Sequence, residues 1–302
     1  MWRVAVLHHG SMSSAALSRL REGLRQRELI DGENCVIDAA GAEGRLERLP
    51  RLVGELLRRG PDVLAAIGGI AALVAQRATS TIPIVHAIVL DPAEIGLTAA
   101  NVAGITTYDP DHGVRQLQLL KELVAGLRTL VCLTDPNAPK GTDGINPLLV
   151  QLLRAAREEG LRVRCVAQDG PGSDLRATFK TIRHSYAKAL VALEVPAVLA
   201  RLGEIAAYAE HAGLPTVFPP GQQHTGVVML GPALYDALDP LAEYVAAITR
   251  GAAVADLPTH RVGHERLEFD LGRARRSGLL VPASLLQRAT RLIDAGPCTD
   301  AI

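Results

Sequence analysis

Residues 61–89 read PDVLAAIGGIAALVAQRATSTIPIVHAIV. Asp62 to Ile67 reads as a strand, unbroken apolar from Val63 on, as expected of one buried on both faces. Gly68-Gly69 ends it, and a short helix follows to Ala78. Ile82 to Val89 is the next apolar run. Two such strands joined by a helix and short connections form a parallel pair with a crossover.

The same rhythm extends outward. Arg3 to Leu7 is an apolar run, and Ser13 or Ser14 can cap a helix carrying Leu17, Leu20 and Leu24. That helix is expected to stop near Leu29, before the Asp31-Gly32 turn. Cys35 to Ala39 reads as a strand, Leu46 to Leu57 as a helix, and Asn101 to Tyr108 as a fifth strand. At Asp109-Pro110-Asp111 the pattern restarts. Strands are expected at Leu130–Leu133, Val163–Val166, Ala189–Val195 and Pro215–Phe218, with helices between them and a loop over 135–147. A run from Gly226 to Leu230, a helix Leu241–Thr249, a strand Arg266–Phe269 and a helix around Leu285–Ile293 complete the chain. One β-α unit is therefore used twice, an α/β architecture with parallel sheets covered on both faces.

Composition narrows the function. The 302 residues suit about two domains. Lys plus Arg and Asp plus Glu are both 32, with no basic block, which argues against nucleic acid as a partner. No apolar run approaches the ~20 residues of a membrane span. The chain opens directly on a strand, with no leader-like segment, so the expected location is either cytoplasmic or extracytoplasmic with the leader left out. The aromatics are three Phe, five Tyr and one Trp, so the core must come from Ala, Val, Leu and Ile. Cys35, Cys132 and Cys165 fall inside apolar runs and read as small buried hydrophobes. No cysteine or histidine spacing suits zinc, and neither a metal nor a cofactor is expected.

Open parallel sheets bind ligands outside the carboxyl ends of their strands. In the first half those ends carry His9, Gly10 and Ser11, then Gly68, Gly69 and Ile70, then Leu90 and Asp91, then Thr107 and Tyr108. In the second half they carry Asp135, Glu194, Phe218 and Tyr235. The dinucleotide, phosphate-loop and nucleophile-elbow motifs are absent from these ends. Ser11 beside His9 lacks a third catalytic member, and the His8-His9 pair lacks a partnering carboxylate. Asp91 and Asp135 each precede a proline and read as turn residues. Glu194 suits either a helix cap or the amine or hydroxyl of a ligand. Gly68-Gly69 lets the backbone approach a ligand, and the amides of the helix behind it favour a carboxylate. Tyr108, Phe218 and Tyr235 place aromatic faces where a flat ligand would stack.

An ordered set of motifs also resembles a known family, the ABC-transporter substrate-binding proteins of the TrpX-like type. The likeness lies in Leu29-Ile30-Asp31-Gly32-Glu33-Asn34, in Gly41-Ala42-Glu43-Gly44 to Pro50, and in Pro61 to Val85 with its Ala-Thr-Ser-Thr-Ile-Pro-Ile-Val entry to a strand. It continues through Asp91-Pro92, Asn101 to Ile105, Gly251 to Pro258 and Leu279 to Pro282. The chain departs where the late Gly-Gly-Leu-x-x-Tyr-Gly pattern becomes Gly226 to Gly231, with Leu230 in place of Tyr. The resemblance implies the type I periplasmic-binding-protein fold: two similar Rossmann-like lobes, with a ligand cleft between them. It sets the lobes at 1–109 with 236–262, and 110–235 with 263–302. It implies a solute-binding protein that is not an enzyme, captures an amino acid or related carboxylate by hinge closure, and docks on a membrane permease as a monomer outside the cytoplasm. Asn146 and Asp236 join the candidate ligand-binding residues on this reading. The competing readings are a cytoplasmic sensor of the same fold and a two-lobed enzyme. A racemase with paired thiols is disfavoured because Cys132 and Cys165 fall in mid-strand.

Overall fold

The computed structural model describes residues 1–10, 15–168, 170, 172–219, 226–262 and 266–294. In chain order its elements are β1 (Trp2–His8), α1 (Ala15–Arg25), β2 (Cys35–Gly41), α2 (Leu49–Leu57), β3 (Val63–Ile67), α3 (Gly69–Ala78), β4 (Ile84–Val89) and β5 (Val102–Thr106). Next come α4 (His112–Leu123), β6 (Thr129–Thr134), α5 (Pro147–Glu158), β7 (Arg162–Ala167), α6 (Leu175–Arg183), β8 (Leu190–Ala192), α7 (Pro196–Leu199), α8 (Leu202–His211), β9 (Thr216–Phe218) and β10 (Val228–Gly231). The last are α9 (Leu238–Thr249), β11 (His260–Arg261), β12 (Arg266–Asp270), α10 (Leu271–Arg276), α11 (Ala283–Arg288) and β13 (Arg291–Ile293). No helix among the described residues is long and apolar enough to cross a membrane.

The chain divides into two compact units. The first comprises Met1–Asp109, Pro139–Pro147 and Leu234–Gly263; the second comprises Pro110–Ala138, Leu148–Ala233 and His264–Ile302. The segment Pro139–Pro147, which the sequence reading assigned to the second lobe, thus groups with the first unit.

The first unit is a parallel sheet in the order β11-β5-β4-β3-β1-β2. β3 is buried along its whole length, as the run from 61 to 67 anticipates. One face of the sheet packs Val4, Val6, Val63, Ala65 and Ile67 against Leu17, Leu20 and Leu24 of α1 and Leu238, Leu241 and Val245 of α9. The other packs Ala5, Leu7, Leu64 and Ala66 against Leu49, Val53 and Leu56 of α2 and the small face of α3. Each fully buried Leu or Val contributes roughly 1.5–3 kcal/mol relative to exposure.

The second unit has the order β13-β12-β10-β9-β8-β6-β7, with β10 and β12 antiparallel and the other pairs parallel. Its edge strand β7 is largely exposed, so Cys165 is exposed rather than buried. Cys165 is nevertheless the register partner of the buried Cys132 on β6, and both thiols are free. Burial pushes the Cys132 thiol well above its ordinary range.

Two expectations are corrected. The one helix expected between β8 and β9, from Ala197 to His211, is two, because Arg201 leaves helical geometry and its Nη1 reaches the Ser173 carbonyl at 2.5 Å. The helix around 285–293 stops at Arg288, and Arg291–Ile293 adds a strand beside β12. There the Thr290 hydroxyl accepts from the Leu267 amide at 3.0 Å, which draws the chain onto the sheet edge. A helix, α10, follows β12 at once, started by Asp270, whose carboxylate accepts from the Arg273 amide at 2.9 Å.

His86 stands in the middle of β4 and is 2 % exposed. Gly104 on β5 makes room for it: a Cβ there would lie 2.3 Å from the His86 carbonyl oxygen and 2.7 Å from its Cγ. Burial lowers the His86 pKa from its ordinary 6.5 to about 4, although a backbone hydrogen bond at Ile105 pulls the other way. Between those values the unfolded chain binds more protons than the folded one. Stability is therefore full above pH 6.5 and falls as the pH drops towards 4, by about 3 kcal/mol in all. Denaturant unfolding across that window is expected to show the slope, and His86→Gln is expected to flatten it. Gly104→Ala should cost about 3 kcal/mol at any pH, since backbone, not a movable side-chain end, meets the new methyl.

Candidate functional site

In the first unit the carboxyl ends of β1, β3, β4 and β5 lie in neighbouring positions of the sheet. His9 follows β1, and its Nδ1 stands 3.3 Å from the Ile67 carbonyl oxygen at the end of β3. The His8 and His9 rings are 4.7 Å apart. Gly68 caps α3 at φ 97° and ψ 147°, a conformation other residues rarely hold. A Cβ at Gly68 would sit 2.4 Å from His9 Nδ1. The turn thus needs glycine for its backbone and for the ring lying on it. The amide of Gly68 donates to the Ala87 carbonyl at 2.8 Å. The next three amides, of Gly69, Ile70 and Ala71, have no acceptor among the described residues, because Gly68 has no side chain to cap with. They form an open N-terminus with partial positive charge. Pro139 lies beside Gly69, and the Asn146 amide nitrogen donates to the Pro139 carbonyl at 2.9 Å.

The end of β4 is irregular. The register with β5 shifts between His86 and Val89, and Ile88 has φ 56°, strained for a β-branched residue. The Thr106 hydroxyl lies 2.9 Å from the Val89 carbonyl and 2.8 Å from that of Leu90, and accepts from the Tyr108 amide at 3.0 Å. This holds Leu90 and Tyr108 in place. The carboxylate of Asp91 accepts from the amides of Ala93 and Glu94, as its turn role predicts. Thr107 is buried and Tyr108 half-buried, and neither hydroxyl meets a partner among the described residues. Tyr235 packs against the same core as Ile88, and Asp236 pairs with Arg19 at 3.1 Å. Burial raises the Tyr235 phenol above its ordinary pKa. Gly10 stands under the His8 ring, and Ser11 lies outside the described residues.

In the second unit Asp135 is buried and used structurally. Its Oδ1 accepts from the Asn137 amide at 2.8 Å and its Oδ2 from the Ala197 amide at 2.9 Å. It caps α7, whose own cap residue Val195 has no oxygen to offer. Phe218 is 1 % exposed and lies in the core, where a Cβ at Gly226 would come within 2.0 Å of its ring. Glu194 has a partner the sequence reading did not name. Its Oε1 stands 3.3 Å from Nε2 of His112, with both side chains more than nine-tenths buried. Gly231, at φ 129°, passes beside both: its Cβ would lie 3.1 Å from His112 Cε1. With Gln116 and Gln151 the pair borders a cavity of about 10 Å³, room for one water. His112 opens α4 just after Asp109-Pro110-Asp111, and that turn is the only sequence signal for it.

The described residues hold no group of three potential metal ligands. At its strand ends the first unit places the uncapped start of α3 and, two strands away just after β5, two hydroxyls without a partner among the described residues. What the second contributes is a buried acid beside a histidine.

The architecture is that of the type I periplasmic binding proteins. The family model for ABC transporter substrate binding proteins matches residues 3–293, and the chain belongs to that family. A search of curated proteins finds no match. Among solved structures, a conserved domain protein of Vibrio cholerae is similar at a TM-score of 0.82 and 22 % identity, over 96 % of this chain and 99 % of that one. An ABC domain from Streptococcus pneumonia, solved in complex with L-Trp, is similar at 0.81 and 20 % identity, over 97 % and 99 %. A leucine binding protein, LivK, of Thermotoga maritima is similar at 0.61 and 14 % identity, over 84 % of each chain.

The glycine turn can be tested apart from any ligand. Gly68→Ala is expected to lower stability by about 1–3 kcal/mol from the backbone conformation alone, and further through the clash with His9. In chemical denaturation the double variant His9→Ala/Gly68→Ala should recover the clash but not the backbone part. Full recovery would show that the conformation carries no strain.

Proposed function

We propose that this chain is the solute-binding component of an ABC importer and takes an amino acid or a related aromatic or aliphatic carboxylate. The observation that carries the reading is the uncapped start of α3. The amides of Gly69, Ile70 and Ala71 have no acceptor among the described residues, and the hydroxyls of Thr107 and Tyr108 at β5 likewise have no partner there. A carboxylate satisfies several such donors at once. In the second unit, Glu194 suits an ammonium or hydroxyl group. The L-Trp bound by the Streptococcus pneumonia domain and the printed leucine binding of LivK support an amino acid. The chain acts by binding and release, not by turnover, with closure of its two lobes as the working step. It works outside the cytoplasm as a monomer and delivers its ligand to a membrane permease.

Thermal shift and calorimetry against the amino acids and a set of aromatic acids test this. At least one carboxylate should stabilise the protein, and its amide should not. A panel without any stabilising member overturns the ligand class. With the ligand in hand, Thr107→Val and Tyr108→Phe should each weaken binding by about 3- to 10-fold, the share of one neutral hydrogen bond. Unchanged affinity in both would remove β5 from the site.

A further inference from the structure

The outer surface of the second unit carries a feature that solute capture does not use. A groove of about 790 Å³ runs between α6 and α8. Its walls hold Arg176, Lys180 and Arg183 from α6, His184 just beyond it, and Tyr208 and His211 from α8. Arg176, Lys180 and Arg183 are spaced four and three residues apart, so one helix face presents all three. Its floor is the Phe179 ring, stacked on Tyr208 at 5.1 Å and an interplanar angle of 19°.

The acids on and beside these two helices are committed elsewhere. Asp174 turns back to cap α6, accepting from the amides of Arg176 and Ala177. Glu204 pairs with Arg201 at 2.8 Å. Glu210, on α8 itself, is held by Arg273 at 2.8 Å and Arg276 at 2.9 Å. Among the described residues Arg176, Lys180 and Arg183 form no ion pair, as is also true of Arg154 and Arg164. The helix dipole accounts for Lys180, Arg183 and His184 at the end of α6, but opposes Arg176 in its first turn. Like charges four residues apart also cost helix stability. A cation stripe against both tendencies, in a chain of zero net charge, fits an external anion.

We propose that this groove binds a soluble, multiply charged phosphate compound. Arg176, Lys180 and Arg183 contact the phosphate oxygens, and the Tyr208 hydroxyl donates a further hydrogen bond. Arg183, His184 and His211 immediately precede the connections into β8 and β9, at the amino ends of those strands. Asp135 and Glu194 lie at the carboxyl ends. The groove is thus separate from the strand-end residues, and solute binding and anion binding should be independent.

Calorimetry of the intact chain with inorganic tripolyphosphate at low ionic strength tests this, alongside co-sedimentation with phosphatidylcholine vesicles containing phosphatidylglycerol. Tripolyphosphate should bind, and added salt should weaken it. The triple variant Arg176→Gln/Lys180→Gln/Arg183→Gln should bind at least about tenfold more weakly, with an unchanged melting temperature in the absence of anion. Binding by the variant equal to that of the parent, no binding by the parent, or capture by vesicles without binding of free tripolyphosphate would each overturn the proposal. None of these results bears on the amino-acid panel, which reads the other end of the sheet.

Discussion

Burial of a parallel sheet on both faces is the constraint from which the rest of each unit follows. Strands such as Val63–Ile67 have no side facing water, so every side chain along them must be apolar and small enough for helices to pack above and below. Backbone polar groups are spent in the ladder. Polar chemistry is left with the places where strands end and helices begin. This is why the open amides of α3, the hydroxyls of Thr107 and Tyr108, and the Glu194–His112 pair all occur at carboxyl ends. His86 shows what a departure costs. A histidine placed inside β4 stays neutral down to about pH 4 and needs a glycine opposite it on β5.

The aromatic shortage is part of the same constraint. A sheet sandwiched between helices of Ala, Val and Leu leaves little space for rings, and the protein makes that space by deleting side chains. His9 lies on Gly68, and Phe218 lies against Gly226. A ring and its glycine form one unit of packing: enlarging the glycine displaces the ring, and removing the ring leaves a void. At Gly68 the same packing has a second effect, because the residue that accepts His9 is the one that leaves α3 without a side-chain cap.

Much of this was legible in the sequence. The strand–glycine–helix–strand reading of 61–89 matches β3, α3 and β4, because unbroken apolar runs of that length have few other uses. The failures share a cause. Whether Phe218 faces a ligand or the core depends on which side of β9 it occupies, and a three-residue strand gives too little alternation to decide. Asp135 reads as a turn residue and accepts from the Asn137 amide, but its other partner, the Ala197 amide, comes from 62 residues away. His112 escaped notice because a histidine opening a helix has no motif, and only the fold brings Glu194 to it. The helix expected over 285–293 had the right apolar spacing, yet Thr290 is drawn into hydrogen bonds with Leu267 across the sheet. Local pattern predicts elements well where the element buries its own residues, and poorly where a distant partner decides.

The distribution of charge supports a division of labour between the two ends of the second sheet and the strand ends of the first. A carrier must release its solute, so dipoles and hydroxyls serve it better than full charges, whose pairing strengthens steeply in a dry site. At the start of α3 the positive potential comes from backbone amides. The groove between α6 and α8 has the opposite character: full cations, exposed, on flexible stems, over a fixed aromatic floor. Such groups bind weakly and exchange quickly with salt, and they discriminate by charge more than by shape. The first arrangement suits a specific solute held and let go as a unit. The second suits an anion present at high concentration, whose occupancy follows ionic conditions. Because Glu210 is turned towards Arg273 and Arg276, the protein's own acids do not compete for the stripe, and its charge remains available to whatever anion surrounds it.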